Sequence, residues 1–227
     1  AAVPLLLACA LLVPDPASAA PPAARNVTAN TTLGPVVGAV ASGAHCAAFY
    51  GIPYAAPPVG DLRFAPPAPF ANPWTAPRSA KHVGLSCMQT FGDSFVNLPV
   101  WLEKLLEKLH LFEEPMGEDC LFLNVFAPAD GLRSNSQLPI LVWFHGGSYM
   151  GGSGDLQSGV PFYDGKRMCE TGIGGDPDLA AVIVTVNYRL GIFGFLAHEA
   201  LLRQENTAGN MGIQDQRKAL RWVQDNA

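Results

Sequence analysis

No tract of basic residues runs through this chain. It carries 14 Lys and Arg against 19 Asp and Glu, for a formal net charge of −5. Nucleic acid is therefore excluded as an expected partner, because a phosphate backbone needs a basic footprint. Beyond the first twenty residues no apolar run is long enough to cross a bilayer. No internal repeat is visible, and no Cys/His spacing suggests zinc. The glycine-rich stretches 151–154 and 172–175 lack the Lys-Ser/Thr that a nucleotide-binding phosphate loop requires. His198 stands beside Glu199, but adjacent residues point different ways on regular structure, so they make no metal pair; His45, His82 and His110 are scattered. Neither a metal nor an organic cofactor is expected.

What is present is apolar material. Hydrophobic residues make up 49% of 227, enough for one sizeable domain or a piece of a larger one. Residues 3–13 are almost wholly apolar but too short to span a membrane, and Ala17-Ser18-Ala19 follows with the small residues a signal peptidase prefers. Residues 1–19 are read as a signal peptide, and the destination as secreted or within the secretory pathway. Cys9 leaves with that segment. Cys46, Cys87, Cys120 and Cys169 then enter an oxidising compartment, where three full pairings are open to them. Asn26-Val-Thr28 and Asn30-Thr-Thr32 are glycosylation sequons just past the cleavage point.

Residues 20–35, rich in Ala, Pro, Asn and Thr, read as a flexible lead-in, and residues 36–227 as the domain proper. Short strands are expected at 36–40 and 46–50 around the Ser42-Gly43 turn. From 51 to 77 prolines recur every few residues, which predicts an extended wrap without helix or central strand. Residues 98–111 have an apolar face of Val100, Leu102, Leu105, Leu106 and Leu109, the pattern of a short amphipathic helix. The apolar runs 121–127, 140–144 and 181–186 predict strands, the last two buried, and 214–224 predicts a helix with Ala219, Leu220 and Val223 inward. Strands followed by a helix indicate an α/β sheet. The strand at 140–144 sits within Leu138-Pro-Ile-Leu-Val-Trp-Phe-His-Gly-Gly-Ser148, an apolar run that ends abruptly in flexible backbone.

Six segments, in order along the chain, together resemble the type-B carboxylesterases and cholinesterases, an α/β-hydrolase lineage. They are Tyr50-Gly-Ile-Pro-Tyr-Ala-Ala-Pro-Pro-Val-Gly60, Leu62-Arg-Phe-Ala-Pro-Pro67, Glu118-Asp-Cys-Leu-Phe-Leu-Asn-Val125, Val142-Trp-Phe-His-Gly-Gly147, Val184-Thr-Val-Asn-Tyr-Arg-Leu-Gly191, and Gly209-Asn-Met-Gly-Ile-Gln-Asp-Gln216 running on to Asn226. The resemblance implies an oxyanion hole at Gly146, Gly147 and Ser148, where relatives carry a third glycine in place of Ser148. It implies a loop disulfide between Cys87 and Cys120. It also implies two ion pairs, Arg63 with Glu118 and Arg189 with Asp215. His145 is expected to buttress the oxyanion loop and not to act as the general base.

In relatives the nucleophile elbow Gly-x-Ser-x-Gly lies some way further on, with the acid and histidine later still. No such motif occurs in these residues. The expectation is thus the N-terminal portion of an α/β-hydrolase with a mostly parallel central sheet, truncated before the nucleophile strand. Its parent is a carboxylic-ester hydrolase acting on a small-molecule or lipid ester, and the chain alone is inactive and poorly soluble. Non-catalytic binding or adhesion is the alternative, since neuroligins keep this fold without hydrolysis; a truncated gene product without activity is another. Choline esters are disfavoured because His110 stands where cholinesterases carry a tryptophan. The sequence leaves oligomeric state open.

Overall fold

A computed structural model describes residues 24–89, 115–132, 137–157, 160–161, 163–205 and 209–227. The signal peptide expected at 1–19 and the amphipathic helix expected at 98–111 lie outside the described residues. In chain order the strands are β1 (Arg25–Thr31), β2 (Gly34–Val40), β3 (Cys46–Pro53), β4 (Arg78–Ser79), β5 (Ser86–Cys87), β6 (Met116–Gly117), β7 (Phe122–Pro128), β8 (Ile140–Phe144), β9 (Leu156–Gln157), β10 (Val160–Pro161) and β11 (Val182–Val186). The α-helices are α1 (Lys166–Thr171), α2 (Gly191–Phe195), α3 (Glu199–Glu205) and α4 (Met211–Asn226).

The main sheet has the order β1-β2-β3-β7-β11-β8, with β4 alongside β2. It is mixed. Each neighbour pair from β1 to β11 is antiparallel, whereas β11 and β8 run parallel, as do β2 and β4. The mostly parallel sheet expected from the resemblance is thus not what this portion shows. β1 and β2 are joined by two residues, and so short a turn allows only antiparallel pairing; a parallel neighbour needs a longer crossover. The chain between β8 and β11, which holds α1, supplies one.

Residues 20–35 are not a flexible lead-in throughout. Arg25–Thr31 forms the edge strand β1, in register with the whole of β2. Asn26, Thr28 and Asn30 face solvent, while Val27 and Ala29 pack towards the core. That period-two alternation is what a half-buried strand requires, and average composition conceals it. The turn closes at Gly34, whose φ is +135° and where a Cβ would lie 2.1 Å from the Trp74 carbonyl oxygen.

β3 continues past residue 50, where prolines were expected to end it. A bulge between Phe49 and Ile52 interrupts the ladder, after which Ile52 and Pro53 pair with Leu123 and Phe122. Gly51 takes the left-handed turn of the bulge at φ +62°, and its amide donates to Asn124 Oδ1 at 2.9 Å. From there to residue 77 the described backbone holds a 3₁₀ turn at Gly60–Leu62 and is otherwise irregular.

Alternating side chains fill two cores, one on each face. Phe49, Leu123, Val184 and Val186 join Trp222 and Ala219 of α4 on one side; Ala48, Phe126 and Ile183 join Cys169 of α1 on the other. On α4 the inward residues are Met211, Asp215, Ala219 and Trp222, with Val223 partly buried. Leu220, expected inside, is 45% exposed. At 100° per residue it sits a quarter-turn from Ala219, whereas Trp222 and Val223 fall within 60° of it. β11 is buried as expected, but β8 is not: it is an edge strand among the described residues, and its Trp143 is 47% exposed.

Candidate functional site

The end of β8 delivers His145 to Ser148 into a tight turn. Gly147 has φ +116°, and its carbonyl accepts the amides of Met150 at 2.9 Å and Gly151 at 3.2 Å. A Cβ on Gly147 would come within 1.9 Å of the Gly151 carbonyl oxygen, so this position admits only glycine. Ser148 and Tyr149 follow with φ of 54° and 62°. Positive φ at both central positions of such a turn favours Gly, Asn or Asp; here Ser and Tyr hold it at a cost of order 1–3 kcal/mol each. The departure at Ser148 therefore leaves the left-handed shape in place. Among the described residues, no protein acceptor takes the amide of Gly146, Gly147 or Ser148. Uncommitted N–H groups at a strand-end turn are what an anionic oxygen requires.

His145 is buried beneath this turn. Its ring stacks on Tyr188 at 4.4 Å between centroids, and Nδ1 lies 2.9 Å from the Gly146 carbonyl oxygen, which assigns the proton to Nδ1. Burial lowers its pKa to about 4, so the imidazole is neutral at ordinary pH. Among the described residues Nε2 meets no hydrogen-bond partner. The Tyr188 hydroxyl donates to the His145 carbonyl at 2.7 Å, and burial pushes it up to about 12, keeping it a donor. These contacts make His145 a brace for the turn.

Two amide side chains, Gln89 and Asn187, hold the chain that follows the turn, and a third, Asn124, ties β7 to its neighbours. Gln89 accepts from the Gly152 amide at 2.7 Å and donates to the Gly152 carbonyl at 3.1 Å. Asn187 accepts from Gly154 at 2.6 Å and donates to the Leu85 carbonyl at 3.1 Å, while its own carbonyl accepts from the Tyr54 hydroxyl at 2.7 Å. Asn124, besides serving the bulge, donates to Thr185 Oγ1 at 3.1 Å. For Asn124 the signal available was an Asn inside the otherwise apolar strand β7, where a buried amide has to be paired.

The structure brings Cys87 and Cys120 together as a disulfide, and pairs Cys46 with Cys169, a choice the sequence left open. Arg63 meets Glu118 through a fork of 2.5 and 2.9 Å, which holds the Glu118 carboxyl below its ordinary value. Arg189 meets Asp215 by two bonds of 2.8 Å, and its remaining nitrogen donates to the carbonyls of Arg63 and Ala65 at 3.0 and 2.9 Å. Both partners are buried; burial raises the Asp215 carboxyl, and the bonds from Arg189 oppose it. The Arg189 pair thereby ties α4 to the residue 63–65 wrap, and it touches no part of the turn at 147–148. Asn26 and Asn30 are exposed on β1, at the other edge of the sheet. Among the described residues, no group of three His, Cys, Asp or Glu side chains is placed to hold a metal ion.

A family model described as "Carboxylesterase family" matches residues 25–227. The chain is 38% identical, over 98% of its length, to the acetylcholinesterase of Gallus gallus. It is 38% identical over 78% to the fumonisin B1 esterase of Sphingopyxis macrogoltabida, and 34% identical over 78% to neuroligin-3 of Mus musculus. It spans 27%, 28% and 22% of those three proteins. Among solved structures, a thermophilic PNB esterase aligns with a TM-score of 0.64 at 36% identity, over 88% of this chain and 35% of the other.

Proposed function

Since the chain belongs to the carboxylesterase family, we propose that it is the N-terminal part of a carboxylic-ester hydrolase working by acyl transfer. The carrying observation is the turn at Gly147 and Ser148, held in a left-handed conformation with its amides uncommitted among the described residues. A serine beyond Ala227 attacks the ester carbonyl of a small-molecule or lipid substrate, and a histidine, also beyond it, takes the hydroxyl proton. The new Oγ–C bond forms as the carbonyl oxygen becomes an oxyanion, received by the amides of Gly147 and Ser148. The C–O bond to the alcohol then breaks, the histidine returns the proton to the leaving oxygen, and water releases the acid by the same path. No metal or organic cofactor enters.

Residues 1–227 alone lack the nucleophile and are inactive in this reading. The two disulfides suit an oxidising compartment and hence export. The sequons at Asn26 and Asn30 then carry glycans. The test is expression from the complete reading frame, with turnover of p-nitrophenyl esters and labelling by a fluorophosphonate. Turnover abolished in proportion to labelling supports the hydrolase. A protein that neither labels nor turns over esters supports the second reading, a binding member of the family, which the likeness to neuroligin-3 favours.

A further inference from the structure

We infer that Gln89 is a positioning residue for the oxyanion turn, the strut through which the Cys87–Cys120 bridge holds it; this rests on the ester-hydrolase reading. Gln89 lies 63 residues before Gly152 in sequence, yet one side-chain amide takes both backbone groups of that glycine, at 2.7 and 3.1 Å. The pairing is the double hydrogen bond that a neighbouring strand exchanges with its partner, supplied here by a side chain. The same Nε2 donates to the Cys87 carbonyl at 3.1 Å, so the amide is anchored two residues from the disulfide.

Gly152 is where such a hold matters. Its φ is +113°, and a Cβ there would lie 2.5 Å from His145 Nδ1 and 2.8 Å from the Gly146 carbonyl oxygen. Fixing Gly152 therefore fixes the backbone that packs on His145 and Gly146. The preceding Gly151 closes the turn onto the Gly147 carbonyl. Between these two ends stand Ser148 and Tyr149 at positive φ, a conformation that persists only where its surroundings over-determine it. His145 and Tyr188 constrain the turn from below, and Gln89 constrains its return. Without Gln89 the turn relaxes, and the amides of Gly147 and Ser148 lose their shared aim. Substrate contacts elsewhere are unaffected, so the loss falls on the transition state and not on ground-state binding.

The experiment uses the protein expressed from its complete reading frame, as wild type, Gln89→Met and Gln89→Glu. Methionine keeps the length and removes every hydrogen bond; glutamate keeps an acceptor for the Gly152 amide and loses the donor. Rates are counted per fluorophosphonate-labelled site, so misfolded protein does not enter. The expected result for Gln89→Met is a fall in kcat of about tenfold or more with KM within about threefold, as for loss of an interaction made only in the transition state. Affinity for a trifluoromethyl ketone, which forms an oxyanion-bearing adduct, falls by the same factor, and Gln89→Glu lies between. Amide hydrogen exchange across residues 146–152 quickens in both variants. Unchanged kcat and ketone affinity overturn the inference, as does a change confined to KM. A wild type that turns over no ester defeats the hydrolase reading instead. The exchange result then judges Gln89 separately: unaltered exchange overturns the strut and quickened exchange upholds it.

Discussion

His145 shows how one residue serves the turn by staying uncharged. Its Nδ1 proton is committed to Gly146, and Nε2 has no partner among the described residues, so a second proton would be buried without compensation. That is why its pKa falls from 6.5 to about 4. A group that ionises less readily when folded makes stability depend on pH in one direction. Above the unfolded value near 6.5 the stabilisation is complete; as pH falls towards 4 the unfolded chain takes up the proton first, and up to about 3 kcal/mol is lost. Glu118 has a lowered pKa, so its share disappears below its ordinary value of 4.5 and mostly outside that window. Urea unfolding of wild type and His145→Gln between pH 7.5 and 4.5 is expected to show a steeper decline for wild type; parallel curves would contradict the assignment. The sequence made the histidine visible beside Gly146 and Gly147, but not its stacking on Tyr188. That contact joins residues 43 apart in sequence.

Elements were legible to the degree that their periodicity was local. β8 and β11 follow directly from apolar runs, because a strand of β-branched and aromatic residues has little alternative. What the runs could not show is neighbourhood: β8 has the same composition as a central strand, and only the sheet order makes it an edge among the described residues. On α4 the helix was clear and its inner face was misjudged by one residue. The structure predicts that Trp222→Ala costs about 3–5 kcal/mol, whereas Leu220→Ser stays within about 0.5 kcal/mol, measured by denaturant unfolding. β1 was hidden for a different reason, its alternation being carried by Asn, Thr and Ala. Its exposed face places Asn26 and Asn30 on one side of a strand that has a free edge among the described residues. Glycans there would blunt edge-to-edge pairing. Secreted protein is expected to lose mass on endoglycosidase treatment, and to lose it stepwise in Asn26→Gln and Asn30→Gln; an unchanged mass would remove the glycans from the account.

At the scale of the whole molecule, the two disulfides link parts that the sheet alone does not. Cys46–Cys169 spans 123 residues and fastens β3 to α1, while Cys87–Cys120 spans 33 and fastens β5 to the start of β7. In the chain-entropy model such loops contribute about 5 and about 4 kcal/mol respectively. The family resemblance specified the shorter bridge and was silent on the longer, since pairing of distant thiols is a property of the folded path and not of spacing. The same limit explains Gln89, Asn124 and Asn187, whose partners lie far along the chain. The motifs marked where the turn would be; the contacts that hold it required the fold.

In the proposed hydrolase the amides of Gly147 and Ser148 receive the oxyanion. The most direct measurement is kcat per labelled site for wild type and Gly147→Ala, with the protein expressed from its complete reading frame. A methyl group there would meet the Gly151 carbonyl oxygen at 1.9 Å and displace the donors. The expected result is a fall of about a hundred- to a thousandfold in kcat, the loss of an oxyanion-hole donor, with fluorophosphonate-reactive protein still present. Turnover within twofold of wild type would place the oxyanion elsewhere and contradict this reading.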